Sequence, residues 1–147
     1  MKVHICPPEQ APLELLMEAD PSISHIEDYI HRGTVHVTED DAGVTGVFVL
    51  LPTRPGTIEL VNIAVTNDRR REGLGRKLLE AAKEQAAGYK RMEVGTGNSS
   101  TGQLAFYQKA GFRITAIDRD FFTVHYKEEI WENGIRCRDM IRLTLEL

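Results

Sequence analysis

The chain has 147 residues, a length that predicts a single domain spanning residues 1–147. Its 18 basic and 22 acidic residues give a net charge of −4, which argues against a general nucleic-acid-binding protein because such proteins need a basic surface. No stretch approaches the roughly 20 apolar residues of a membrane span, and the N-terminus does not resemble a signal peptide. Cys6 and Cys137 form no CxxC pair. We therefore expect a cytoplasmic protein with no membrane partner.

The first 65 residues predict two helices within a run of strands. Leu13, Leu16 and Met17 share one face of a helix, and Ser24 with Glu27 has the form of a capping box at the start of the next. Short turns join the last three strands, which indicates an antiparallel meander. The predicted elements are a strand at 2–6, helices at 13–19 and 24–32, and strands at 34–38, 44–51 and 58–65.

The remaining residues alternate helices with strands. The fold class is therefore α/β, with a mixed, mostly antiparallel central sheet and helices on both faces. The final strand alternates apolar with polar residues and is predicted to be an exposed edge, which would invite pairing with another chain. The predicted elements are a helix at 73–87, a strand at 91–95, a helix at 103–109, and strands at 112–117 and 140–147.

A loop rich in arginine and glycine joins the third meander strand to the following helix. The start of a helix offers free N–H groups and the positive end of its dipole to a phosphate, and glycines allow close approach to the main chain. Taken alone, RxxGxG fits a solvated basic loop equally well. No GK[ST] follows, and no βαβ unit surrounds the loop, so it is neither a Walker nor a dinucleotide motif. The residues concerned are Arg70, Arg71, Glu72, Gly73, Leu74, Gly75 and Arg76.

Three segments in this order resemble the GCN5-related N-acetyltransferase (GNAT) family. Ile58–Val65 resembles its central strand, and Arg70–Gly75 resembles its [QR]xxGx[GA] pyrophosphate loop. Leu104–Phe112 resembles its second signature, a helix that ends in Tyr-x-Lys-x-Gly-Phe. The resemblance implies the GNAT fold, with a sheet splayed in a V, and an enzyme that uses acetyl-CoA as co-substrate.

The resemblance also implies where coenzyme A binds. The pyrophosphate would lie on the loop at 70–76, and the pantetheine arm on the main chain of Ile63, Ala64 and Val65. Family members often carry Asn seven residues before the signature tyrosine; here that position is Ser100, with Asn98 two residues earlier. Which of these two contacts the cofactor stays open, and Gly95, Gly97 and Gly102 predict a flexible loop around them.

Tyr107 is the candidate general acid and a further cofactor contact. The resemblance places its hydroxyl near the thioester sulfur, and a pKa near ~10 keeps the hydroxyl protonated at neutral pH. The alternative for Tyr107 is an aromatic side chain packed in the core, with no part in the chemistry.

Glu59 is the candidate general base. On a regular strand it shares a face with Val61, Ile63 and Val65, where loss of hydration would raise the pKa of its carboxyl. Two alternatives are a solvent-facing glutamate and a water relay with no single essential base. The oxyanion donor is predicted to be the main-chain N–H of Ile63 or Ala64.

Two further expectations concern the acceptor and the metal content. The aromatic segment 121–131, which includes His125, is predicted either to wall the acceptor pocket or to pack as core. None of the five histidines has metal-ligand spacing, so no metal is expected.

The predicted function is acetyl transfer from acetyl-CoA to a primary amine of a small molecule or protein, by direct attack on the thioester. The acceptor is not identified, and no nucleic acid is expected as a partner. The alternative is a non-catalytic acyl-CoA-binding sensor or subunit, which would have no need of an acid such as Tyr107. The exposed final strand and the frequent dimerisation of the family favour a homodimer.

Overall fold

The computed structural model describes residues 2–66 and 73–147, and the chain divides into two compact units, residues 1–89 and 90–147. The first unit contains β1 (Val3–Cys6), a 3-10 helix (Pro8–Gln10), α1 (Leu13–Ala19), α2 (Ile23–Arg32), β2 (Thr34–Asp40), β3 (Gly43–Arg54), β4 (Thr57–Val65) and α3 (Leu74–Gln85). The second contains β5 (Arg91–Gly97), α4 (Thr101–Lys109), β6 (Arg113–Asp118), α5 (Phe121–His125), β7 (Ile130–Glu132), β8 (Ile135–Cys137) and β9 (Met140–Glu146). Within the described ranges no helix is long and apolar enough to cross a membrane.

The first unit is an antiparallel sheet, β1-β2-β3-β4, with helices packed on it. The predicted meander is therefore confirmed. Val47, Phe48 and Val49 of β3 are consecutive and each is 0% exposed. Val47 and Val49 belong to one buried cluster with residues of α1 and α2, while on the opposite face Gly46 lies against Leu78 of α3. Because both faces are covered, β3 is a continuous hydrophobic run rather than an alternating one.

The start of α2 differs from the prediction by two residues. The N-cap is Ser22, whose Oγ accepts a hydrogen bond from the main-chain N–H of His25 at 3.4 Å, so the capping box at Ser24 is wrong. Asp20 fixes this start, since its Oδ1 accepts from the N–H of Ser22 at 3.0 Å. Gly33 ends α2 as predicted, and a Cβ there would lie 2.5 Å from the carbonyl oxygen of Leu50. Glycine is required at position 33 because the main chain of Leu50 lies so close, and not because the backbone is left-handed.

The second unit is built around β9, which pairs with β5 on one side and β6 on the other, antiparallel in both cases. The prediction that the last strand is an exposed edge is therefore wrong. The alternation of apolar and polar residues in β9 correctly indicates that one face of the strand is buried, where Leu143 is 0% exposed. It does not indicate which strands lie on either side of β9. The outer strand of this unit is β6.

The glycines of β5 are also placed differently from the prediction. Gly95 and Gly97 lie on the strand itself, not in a flexible loop. A Cβ on Gly95 would lie 2.6 Å from Sδ of Met140, and a Cβ on Gly97 would overlap Sγ of Cys137. These glycines make room for side chains that precede and begin β9, so close packing explains them better than flexibility.

We predict that Gly97→Ala lowers the free energy of unfolding by about 1–3 kcal/mol, because the added methyl group overpacks the contact with Cys137. Urea unfolding measures the change. Adding Cys137→Ala should recover part of the loss, since the two side chains share one space. Gly102→Ala is the matched control: apart from its chain neighbours and the backbone of α4, no atom of the described residues lies within 4 Å of its Cβ position, and alanine favours helix by up to about 1 kcal/mol. Equal stability of Gly97→Ala and the wild type would contradict this packing.

Candidate active site

A β-bulge interrupts the central strand β4. Leu60 pairs with Leu50, but Asn62 pairs with Val49, the next residue of β3, so Val61 is an extra residue without a counterpart. Directly opposed residues point to the same face of a sheet. Because of this extra residue, the side chains of β4 before the bulge point to the face opposite to the one that regular alternation along the strand would give them.

The bulge changes the surroundings of Glu59. Glu59 pairs with Leu51, whose face carries the α1–α2 cluster, whereas Ile63 and Val65 pair with Phe48 and Gly46 on the opposite face. The prediction that Glu59 shares a face with Ile63 and Val65 is therefore wrong, because it assumed unbroken alternation.

The half-buried Glu59 lies instead near the C-terminus of α2. Hydrogen bonding to Asp28 raises the pKa of the Arg32 guanidinium, and the negative charge of Glu59 adds to that effect. The carboxylate of Glu59 is therefore close enough to a cation of α2 to act on it. Its role as the base stays a prediction.

Asn62, directly after the bulge, is a buried polar residue that the sequence analysis missed. It is 4% exposed, and its Nδ2 donates to the carbonyl oxygen of Leu16 at 3.0 Å and to the hydroxyl of Tyr29 at 2.9 Å. Tyr29 donates in turn to Asp20 Oδ2 at 3.1 Å. Burial raises the pKa of Tyr29, which keeps its hydroxyl protonated. An asparagine within an apolar strand was the signal, since a buried amide needs partners.

These bonds fix which way the Asn62 amide faces. Exchanging its oxygen and nitrogen would set Oδ1 against the carbonyl oxygen of Leu16, so the nitrogen must face α1. Among the described residues Oδ1 then has no hydrogen-bond partner. The amide thus ties β4 to both α1 and α2 immediately before the predicted pantetheine-binding residues, Ile63, Ala64 and Val65.

The N-terminus of α3 has the geometry predicted for an anion site. Gly73 is its N-cap in the left-handed conformation, with φ 72° and ψ 14° and no side-chain cap. The N–H groups of the first turn lack intrahelical partners, and Arg76 and Lys77 are exposed beside them, with no acidic residue in that turn. Leu74 and Gly75 complete the turn. Arg70, Arg71 and Glu72, also predicted to contact the cofactor, lie outside the described residues.

Tyr107 lies in the last turns of α4 and is 5% exposed. Its ring makes edge contacts with Phe106 and Phe112, at centroid distances of 5.3 and 5.5 Å. The ring is thus part of an aromatic core, as one of the two sequence interpretations expected. Burial raises the pKa of the Tyr107 hydroxyl above its ordinary value, so the hydroxyl remains protonated at neutral pH. A protonated donor is what the role of general acid requires.

Asn98 and Ser100 both bind the segment that contains the β7–β8 hairpin. Asn98 Nδ2 donates to the carbonyl oxygen of Arg136 at 3.1 Å, and its Oδ1 accepts from the N–H groups of Arg138 and Asp139 at 2.8 and 3.0 Å. Both ends of the Asn98 amide therefore make hydrogen bonds to the main chain of the second unit. Ser100 Oγ donates to Glu132 Oε1 at 2.8 Å, an exposed contact.

The aromatic segment 121–131 folds into α5 and β7 rather than an irregular loop. Phe121 contacts Phe122, His125 and Tyr126, with centroid distances of 5.2, 4.6 and 6.5 Å. His125 is exposed at the end of α5. The segment therefore forms its own small cluster, and a role in the acceptor pocket stays a prediction. Across the described ranges no group of three or more His, Cys, Asp or Glu could hold a metal ion.

Comparison with known proteins decides the family. A model of the acetyltransferase (GNAT) domain matches residues 31–114. An uncharacterized N-acetyltransferase of Bacillus subtilis strain 168, YvbK, is 51% identical over 136 residues, which cover 91% of this chain and 88% of that protein. The chain belongs to the GNAT acetyltransferase family.

Two solved GNAT structures extend the likeness to the whole fold. The IAA acetyltransferase of Bacillus cereus ATCC 14579 is 53% identical, with a TM-score of 0.95 over 99% of both chains. A GNAT family acetyltransferase of Elizabethkingia anophelis with acetyl-CoA bound is 44% identical, with a TM-score of 0.95 over 99% of this chain and 97% of that one. The expected GNAT fold is confirmed, and so are the enzyme class, acetyl-CoA-dependent N-acetyltransferase, and acetyl-CoA as its co-substrate.

We predict that Gly73→Asp weakens coenzyme A binding by more than about tenfold, which is ~1.4 kcal/mol. The substitution puts a carboxylate where the first turn of α3 presents its N–H groups. Gly88→Asp is the matched control: Gly88 also has a positive φ with no atom within 4 Å, but it follows the opposite end of α3. Calorimetry should show unchanged binding for the control. Equal loss in both variants would mean that backbone strain, not the anion site, explains the effect.

Proposed function

We propose that this GNAT enzyme acetylates a primary amine by direct attack on the thioester of acetyl-CoA, with residues 1–147 acting as one catalytic domain in the cytoplasm. The observation that carries the proposal is the N-terminus of α3, where the N-cap Gly73 is in the left-handed conformation and offers no side-chain cap. A dipole end with free N–H groups and flanking cations is suited to a pyrophosphate. We further propose that Arg70, Arg71 and Glu72 belong to the same loop site.

We propose that the pantetheine arm lies along the main chain of Ile63, Ala64 and Val65. Asn62 supports this assignment, since its two hydrogen bonds hold the strand in one register at that point. In the same proposal the N–H of Ile63 or Ala64 stabilises the oxyanion of the tetrahedral intermediate. Main-chain donors suit that task because a fixed strand needs no reorganisation as charge develops.

Tyr107 is the proposed acid. The amine nitrogen bonds to the acetyl carbon, the carbon–sulfur bond breaks, and the leaving thiolate takes the Tyr107 proton. Burial raises the pKa of Tyr107, so its hydroxyl carries a proton at neutral pH and a donor is present. A proton from solvent then restores the Tyr107 hydroxyl for the next turnover.

Glu59 is the proposed destination of the amine proton, reached directly or through one water molecule. Its half-buried carboxylate lies near the cation of Arg32, at the C-terminal end of α2. For the remaining cofactor contact we favour Ser100 over Asn98, because three hydrogen bonds already occupy the amide of Asn98.

The acceptor is tested with a panel of primary amines in a thiol-release assay, and IAA is assayed beside the panel because a 53% identical relative is described as an IAA acetyltransferase. Release of free thiol that depends on an added amine supports the enzyme proposed here. Binding of acetyl-CoA without release in any member of the panel would favour the alternative, a non-catalytic sensor or subunit.

We predict that Tyr107→Phe reduces turnover about 100-fold or more, since it removes only the proton donor. Coenzyme A affinity should barely change, because the ring contacts with Phe106 and Phe112 do not involve the hydroxyl. Tyr89→Phe, which removes a hydroxyl elsewhere in the chain, is the control. Unchanged turnover in Tyr107→Phe would leave Tyr107 as a packing residue only.

A further inference from the structure

A closed ring of hydrogen bonds joins α1, α2 and β4 in the first unit. The carbonyl oxygen of Leu16 accepts from the main-chain N–H of Asp20 at 3.1 Å and from Nδ2 of Asn62 at 3.0 Å. The same Nδ2 donates to the hydroxyl of Tyr29 at 2.9 Å, and that hydroxyl donates to Oδ2 of Asp20 at 3.1 Å. The hydrogen-bond ring therefore begins and ends at Asp20.

Asp20 sets the direction in which the groups of this ring donate. Both oxygens of its carboxylate accept, Oδ1 from the N–H of Ser22 at 3.0 Å and Oδ2 from Tyr29. The Tyr29 hydroxyl has one proton, and because that proton goes to Asp20, the hydroxyl can only accept from Asn62. Burial raises the pKa of Tyr29, so the proton stays on its oxygen. A carboxylate between α1 and α2 thus orients a buried amide on β4.

The hydrogen-bond ring reaches β4 at the bulge. Val61 has no counterpart on β3, and a bulge leaves its extra residue unpaired and disrupts the ladder locally. Asn62 follows Val61 directly, and Ile63 and Ala64 come next. The side-chain hydrogen bonds of Asn62 therefore support the strand at the point where the ladder supports it least.

We propose that Asp20 and Tyr29 are positioning residues for the acetyl transfer. They act through Asn62 on the main-chain N–H groups of the two residues after it, Ile63 and Ala64. The inference rests on the proposed function, in which one of those N–H groups stabilises the oxyanion. Neither Asp20 nor Tyr29 touches the reacting atoms. Their part is to hold the amide of Asn62, and with it the main chain after the bulge, in one position.

Loss of the hydrogen-bond ring is expected to change turnover more than the affinity for acetyl-CoA. An oxyanion donor acts only at hydrogen-bond distance from the developing charge, and a misplacement of about 1 Å can cost ~100-fold in rate. Cofactor binding is shared with the N-terminus of α3 in the proposed function, and the ring does not include α3. The kcat should therefore fall while the KM for acetyl-CoA stays nearly constant.

Steady-state kinetics of Tyr29→Phe and Asp20→Asn, on an amine that the wild type acetylates, test the proposal. The first variant removes only the hydroxyl. In the second, one end of the new amide is a donor, so it cannot accept from both Ser22 and Tyr29. Each variant should lower kcat about tenfold and change the KM for acetyl-CoA by less than about twofold.

Ser22→Ala is the matched control for damage to α2. It removes the Oγ that accepts from the N–H of His25 and so weakens the same end of the helix, but it leaves every bond of the hydrogen-bond ring in place. Its kcat should equal that of the wild type. An equal loss of kcat in Ser22→Ala and Tyr29→Phe would overturn the proposal, and so would a wild-type kcat in Tyr29→Phe.

The double variant Tyr29→Phe/Asn62→Leu separates positioning from stability. It replaces both partners by apolar groups, so no buried donor lacks an acceptor and urea unfolding should show a more stable protein than Tyr29→Phe alone. We expect its kcat to remain at least about tenfold low; recovery of the wild-type kcat would reduce the ring to a stabilising contact. Failure of the wild type to release thiol with any amine would contradict the proposed function as well, whereas fully active variants beside an active wild type contradict this inference alone.

Discussion

The single extra residue in β4 sets the arrangement of the first unit. Val61 has no counterpart on β3, so Leu60 and Ile63 both face α3 while Asn62 faces α1 and α2. Asn62 makes this register hard to change. A slip by one residue would turn its amide away from Leu16 and Tyr29 toward an apolar face, where it would have no partners. The hydrogen bonds of one buried side chain therefore hold the strand that we propose binds the pantetheine arm.

The same extra residue determines what the acidic side chain at the start of β4 can do. Without it, Glu59 would point to the face of Ile63 and Val65; with it, Glu59 points toward the end of α2 and the cation of Arg32. The proposed acid, Tyr107, lies in the second unit. The ring of Tyr107 makes edge contacts with Phe106 and Phe112, and burial raises the pKa of its hydroxyl.

Local patterns in the sequence were sufficient to predict several of the helices and strands. Helical periodicity located α3, with a predicted start at residue 73, and short turns gave the β2-β3-β4 meander, because each depends on a few adjacent residues. Properties that depend on distant residues were missed. The neighbours of β9, the bulge at Val61 and the contact of Gly97 with Cys137 follow from tertiary packing. Asn98 was predicted only as a cofactor contact because the residues that occupy its amide lie about 40 positions later in the chain.

The pH–rate profile of Glu59→Gln, compared with the wild type on one good amine acceptor, tests the proposal that Glu59 accepts the proton of the amine. The substitution conserves size and removes only the proton acceptor. We predict a fall in turnover at neutral pH that recovers as the pH approaches the pKa of the amine, near ~10.4 for a lysine-type amine, where the free amine needs no base. An acidic limb that survives unchanged in the glutamine variant would contradict the claim and assign the proton to ordered water or to another group.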